Sequence, residues 1–164
     1  MTEGAEHLIL SLKALGYRTA ILSGGFTYFA EHVRGMLGID FVRANVLEMR
    51  DGALTGGLIE QPWGDICDGE EKKRTLLALC AEHGFEPRQA IAVGDGANDL
   101  PMMGAAGLSI CYHGKPAVRE QAMLSIEGTV SELTGPRFGH GAITPLDGDL
   151  IANYARDGDP IGER

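Results

Sequence analysis

The chain has 164 residues, 44% of them hydrophobic, which fits one domain with a packed core and excludes disorder throughout. Its formal net charge at pH 7 is −9, a field that repels nucleic acid and anionic membrane surfaces. No basic patch offsets it, because the densest basic run, Lys72-Lys73-Arg74, follows directly on Glu70-Glu71. Cys67, Cys80 and Cys111 are an odd, widely spaced set with no CxxC or Cys/His ligand spacing, which argues against a disulfide framework and a zinc site. There is no 18-residue apolar run and no signal peptide, so a soluble cytoplasmic protein is expected.

In chain order, Leu8, Leu12 and Leu15 recur at helical spacing and predict a short amphipathic helix ended by Gly16. Tyr17 to Leu22 reads as a buried strand, Ser23-Gly24-Gly25 as a turn, and Thr27 to Leu37 as a helix closing near Gly38. Phe41 to Met49 and Leu54 to Ile59 predict a hairpin across Arg50-Asp51-Gly52-Ala53. Pro62 to Gly69 is loop, and Glu70 to His83 is a helix stopped by Gly84. Ala90 to Val93 is a strand, Leu100 to Ala105 a short helix, and Leu108 to Tyr112 another strand. Pro116 opens a helix to about Met123. Strands alternating with helices predict an α/β sheet, mostly parallel. From about residue 129 the periodicity dissolves, so 129–164 reads as an irregular or disordered tail.

Ligands of open parallel sheets sit beyond the carboxyl ends of strands, and two strands here end in polar, glycine-rich segments. In Ser23-Gly24-Gly25 the hydroxyl can donate to a phosphate oxygen, the glycines admit close backbone approach, and a helix start follows. The structural alternative is that Ser23 only caps that helix. In Gly94-Asp95-Gly96-Ala97-Asn98-Asp99, Asp95 is a carboxylate delivered by a strand, the type of donor Mg²⁺ takes together with waters and phosphate oxygens. Asn98 can donate to phosphate and Asp99 can receive an ammonium; alternatively both only cap the helix before Pro101. Lys72 and Lys73 both flank the apolar stripe Leu76, Leu77, Leu79, Cys80, whereas Arg74 points away. Periodicity does not choose between the two lysines, and a solvated charge run is the other reading. The five histidines share no ligand spacing, Met102-Met103 reads as packing, and Trp63 stands alone in a loop.

Ser-Gly-Gly after one strand, a lysine opening a helix, and Gly-Asp-Gly-x-Asn-Asp after a later strand together resemble the haloacid dehalogenase superfamily of phosphotransferases. Within it, "SGGFTYFAEHVRGMLGID", "ANVLEMRDGALTGGL", "GDICDGEEKKRTL" and "VGDGANDLPMMGAAGLSICYHGKP" are similar to the phosphoserine phosphatase family in order and spacing, over about Thr2 to Glu127. The resemblance implies a Rossmann-like core across residues 1–128 and Mg²⁺-dependent hydrolysis of O-phosphoserine to serine and phosphate through an aspartyl-phosphate. It implies that Ser23 and the Gly24 N–H bind phosphate and that Lys72, not Lys73, neutralises the phosphoryl charge. By the same resemblance Asp95 ligates Mg²⁺, Asn98 contacts substrate and Asp99 orients the lysine.

The family's nucleophile is the first Asp of an Asp-x-Asp-x-Thr/Val motif on a strand upstream of Ser-Gly-Gly, and a cap domain also lies there. None of the 22 residues before Ser23 forms that motif. The expectation is therefore an incomplete core, lacking first strand and cap, in a truncated form with impaired activity. The missing strand would stand between those leading to Ser23 and Asp95, leaving a slot of roughly two strand spacings, each about 4.8 Å, with unpaired backbone on both sides. A complementing segment or a homo-oligomer could fill it. Asp147-Gly148-Asp149 is an internal Asp-x-Asp, but Pro145 would interrupt a central strand and Ile151 stands where Thr or Val is needed, so an Asp-Gly turn is the preferred reading. A non-catalytic phosphate- or metal-binding remnant is the other functional class.

Overall fold

The computed structural model describes residues 4–64, 66–127 and 137–138. Asp147 and Asp149, and the tail beyond 128 other than Arg137–Phe138, lie outside the described residues. The chain divides into two compact units, Met1–Pro87 and Arg88–Arg164. That boundary falls inside the span read from sequence as one core.

The first unit runs α1 (Ala5–Ala14), β1 (Ala20–Phe26), α2 (Thr27–Leu37), β2 (Phe41–Arg50), β3 (Ala53–Ile59) and α3 (Gly69–His83). Its three strands lie in the order β1-β2-β3, with β1 parallel and β3 antiparallel to β2. The hairpin forms as the sequence predicts: Arg50 pairs with Ala53, and Asp51 and Gly52 both take positive φ, at 51° and 79°. Two positive-φ residues give the turn whose twist matches a two-residue hairpin. Ala30, Leu37, Ile39, Ala44, Leu76 and Cys80 are among the buried core residues. Helix α1 buries none of its residues, and Leu8 and Leu10 on it are exposed.

The end of β1 corrects the sequence reading. Ser23-Gly24-Gly25 is not a turn after the strand but part of it. Pairing runs from Ala20↔Phe41 to Leu22↔Arg43, then resumes at Phe26↔Asn45. β1 therefore spends four residues where β2 spends two, a bulge that frees backbone groups from the ladder.

In the second unit β4 (Ile91–Gly94), β5 (Leu108–Tyr112) and β6 (Leu124–Ile126) are parallel, and β7 (Arg137–Phe138) adds antiparallel to β6. Helices α4 (Leu100–Met103) and α5 (Pro116–Arg119) are single turns, shorter than their sequence pattern implies. β6 and β7 are strands the sequence reading missed. Met102 and Met103 are buried, as packing residues.

Among the described residues the fold is mixed α/β, with three parallel strand pairings distributed over a three-stranded and a four-stranded sheet. Among the described residues β1 and β4 each have a strand partner on one side only. Val93 and Ile91 on β4 are exposed. No helix is long and apolar enough to cross a membrane, among the described residues.

Asp40 ties the start of β1 to the α2–β2 connection. Its Oδ2 accepts from the Thr19 N–H and the Thr19 hydroxyl, both at 2.8 Å, and Lys13 Nζ lies 3.4 Å from Oδ1. The Thr19 backbone bond, foremost, holds the Asp40 carboxyl below the usual carboxylate range, helped by the Thr19 hydroxyl and Lys13. A carboxyl with a lowered folded pKa contributes stability above its unfolded pKa, about 3.9 for Asp, and loses it as pH falls through the folded value. Asp40→Ala is expected to cost about 2 kcal/mol near neutral pH, as for hydrogen bonds to a charged group. Urea denaturation should show the gap from wild type narrowing below about pH 4.

Candidate functional site

In the first unit, Ser23 and Gly24 sit in the β1 bulge. The Ser23 hydroxyl accepts from the Gly25 N–H at 3.0 Å, and a serine hydroxyl that accepts one bond still has its proton to donate. It does not cap α2: the cap residue is Phe26, which makes no side-chain cap bond. Ser23 also lines an open, largely apolar cavity of about 280 Å³ with Ile21, Phe26, Phe29 and Val33.

Lys72 lies in the first turn of α3. The solvated-run alternative fails here, because Glu71 and Lys72 are 3% and 4% exposed; Lys73 is half-buried. Asp68 caps the helix: its side chain accepts from the Glu71 N–H at 2.8 Å, and the helix begins at Gly69, one residue before the Glu70 of the sequence reading. Glu71 is neutralised by Arg43 at 2.7 Å and Arg74 at 2.8 Å, and Thr75 Oγ1 donates to it at 3.0 Å. Arg43 in turn lies over the rings of Trp63, at 4.9 Å, and Phe41, at 5.5 Å, two cation–π contacts. Trp63, uninformative in sequence, thus contacts the guanidinium that pairs with the buried Glu71.

Asn45 joins these two pieces. Its Nδ2 donates to the Gly24 carbonyl at 2.8 Å, and its Oδ1 accepts from the Cys67 N–H at 2.7 Å. Asn45 was not singled out from sequence. Its signal was a carboxamide inside the run "FVRANVLEMR", since Asn is depleted in strands. The signal for Asp68 was the Asp-x-x-Glu spacing to Glu71, a capping-box pattern.

In the second unit, Asp95, Asn98 and Asp99 follow β4 in one tight turn and a single turn of 3₁₀ helix. Asp99 is 7% exposed. Its Oδ2 accepts from the Asp95 and Gly96 N–H groups at 3.2 and 3.1 Å. The Asp99 side chain makes no cap bond to α4; one of its carboxylate oxygens organises the preceding turn instead. The Asp95 carbonyl accepts from the Lys115 N–H at 3.1 Å, so the backbone after β5 braces it. The Asp95 side chain is exposed, as is Asn98. Among the described residues no three His, Cys, Asp or Glu side chains cluster as a metal cage. Asp95 offers a single hard oxygen donor, which suits Mg²⁺, a cation that keeps several waters and phosphate oxygens.

Cys67, Cys80 and Cys111 are all free and buried. Burial pushes the Cys67 and Cys80 thiols up, away from the thiolate form a nucleophile needs.

Gly94 is required by this turn. A methyl group there would stand 2.4 Å from Asp99 Cβ and 2.9 Å from its Oδ2. Gly94→Ala is expected to lower stability by about 1–3 kcal/mol, the cost of overpacking. Gly35→Ala, on a helical site with nothing within 4 Å, should instead raise it by up to about 1 kcal/mol. Denaturation midpoints of opposite sign in the two variants are the check.

Residues 1–104 match the family of haloacid dehalogenase-like hydrolases. A phosphoserine phosphatase of Polaromonas sp. is 58% identical over 134 residues, 81% of this chain and 57% of that protein. The crystal structure of a probable phosphoserine phosphatase from Vibrio cholerae, unliganded, superposes with a TM-score of 0.75 at 32% identity, covering 97% of this chain and 46% of that one. A substrate-bound phosphoserine phosphatase complex gives a TM-score of 0.72 at 38% identity, covering 78% and 59%. The chain spans about half the length of two such curated relatives, 57% and 52%. The family match covers more than half of the chain, which therefore belongs to the haloacid dehalogenase-like hydrolases.

Proposed function

We propose that this chain carries the phosphate-, lysine- and metal-holding part of a phosphoserine phosphatase, whose reaction is Mg²⁺-dependent hydrolysis of O-phospho-L-serine to L-serine and phosphate. The observation that carries the reading is 58% identity to such an enzyme over four fifths of the chain. The bulge at Ser23 and the buried Lys72 support it, since an uncapped helix start and a desolvated ammonium suit an anionic group.

In this reading Ser23 donates to a phosphoryl oxygen, the Gly24 N–H approaches another, and Lys72 offsets charge as the P–O ester bond breaks. Asn98 contacts the substrate, Asp99 orients the lysine, and Asp95 holds Mg²⁺, which would stabilise charge on the phosphoryl oxygens. The attacking carboxylate belongs to an Asp-x-Asp-x-Thr/Val motif that the 164 residues do not contain. Without it about 10⁴–10⁶ in rate is lost, so the chain by itself turns over little or no substrate. The one-sided pairing of β1 and β4 favours its supply by a complementing segment, separate or within a homo-oligomer. We assign the product to serine biosynthesis in the cytoplasm, a setting the three unpaired cysteines suit.

Mixing the chain with a segment bearing Asp-x-Asp-x-Thr should restore Mg²⁺-dependent phosphate release from O-phosphoserine. Lys72→Ala should then lower the rate by about 10²-fold or more, and Lys73→Ala by far less. Equal effects reject the lysine assignment. Phosphate binding without any restored release would make the chain a non-catalytic binding module. Calorimetric titration with Mg²⁺ should show Asp95→Asn weakening affinity about tenfold or more; unchanged binding removes Asp95 from the metal site.

A further inference from the structure

The bulge in β1 leaves the Gly24 carbonyl without a ladder partner, and the partner it has is a side chain. Asn45 is 5% exposed and makes two bonds of opposite sense: it donates to Gly24 at 2.8 Å and accepts from Cys67 at 2.7 Å. The orientation of this amide is fixed by its neighbours. Flipped, it would set oxygen against the Gly24 oxygen and NH₂ against the Cys67 N–H. Cys67 immediately precedes Asp68, the residue that caps α3, and the Lys72 N–H bonds back to the Asp68 carbonyl at 3.0 Å. One buried carboxamide therefore spans from the segment bearing Ser23 to the turn bearing Lys72. Both ends are backbone groups, so they define position rather than charge.

We propose that Asn45 is a positioning residue that couples the Ser23-Gly24 bulge to the first turn of α3, so that the two adopt their anion-binding arrangement as one unit. The inference rests on the reading of Ser23 and Lys72 as phosphate ligands only for its consequence in binding. The coupling itself is a property of the first unit. Asn45 touches no reacting atom in this scheme.

The test uses the full chain and two readouts: amide hydrogen exchange by NMR, and titration with inorganic phosphate. Asn45→Asp keeps the acceptor for Cys67 and removes the donor to Gly24. It should leave the Cys67 amide protected while the Gly24, Gly25 and Phe26 amides exchange about tenfold faster. Phosphate affinity should fall about tenfold, the worth of one such bond. Ser23→Ala should cost less affinity in the Asn45→Asp background than in wild type, as coupled sites do, whereas a merely structural role would give additive penalties. Should Asn45→Asp not fold, Asp68→Ala serves: it removes the side-chain bond to the Glu71 N–H at the start of α3, and faster exchange at Gly24 to Phe26 is expected. Unchanged exchange in that segment in either variant overturns the coupling, as do additive penalties. Coupled exchange in a chain that binds no phosphate would uphold the role of Asn45 and sink the phosphate reading instead.

Discussion

Between Leu22 and Phe26, β1 advances four residues while β2 advances two. Regular pairing would commit every N–H and C=O of this stretch to the sheet or to water. The two surplus residues release a serine hydroxyl, a glycine carbonyl and the entry to α2 from that obligation. The first is taken up by the Gly25 N–H and the second by Asn45. What remains is a strand end whose irregular stretch is held by side chains as well as by the ladder.

The turn after β4 solves the same problem by different means. There is no bulge; instead the buried Asp99 gathers the N–H groups of Asp95 and Gly96 onto one oxygen. Gly94 has no side chain because the Asp99 carboxylate occupies the space. Asp95 is thereby fixed at its backbone while its carboxylate faces solvent. In both units a side chain meets backbone groups that regular pairing leaves over: Asn45 at Gly24, and Asp99 at Asp95 and Gly96.

Much of this was legible in residue order. The hairpin was readable because Asp51-Gly52 between two apolar runs has few other uses. The family was readable because three separate polar motifs kept their sequence and spacing. What escaped depended on pairings that sequence does not display. Ser23-Gly24-Gly25 looks like a turn because glycine breaks strands, and only the register with β2 makes it a bulge. Glu70-Glu71-Lys72-Lys73 looks solvated until Arg43, 28 residues earlier than Glu71, arrives to neutralise the carboxylate. Leu124–Ile126 is three residues long, too short for periodicity to register. Asn45 was hidden because its partners, Gly24 and Cys67, are each about twenty residues away in opposite directions.

The three sequestered thiols give the protein an internal clock. Cys67 and Cys80 belong to the first unit and Cys111 to the second, and burial slows an alkylating reagent's access to each until its surroundings part. Modification rates at the separate cysteines would thus time the breathing of each half independently, with no label added to the sequence.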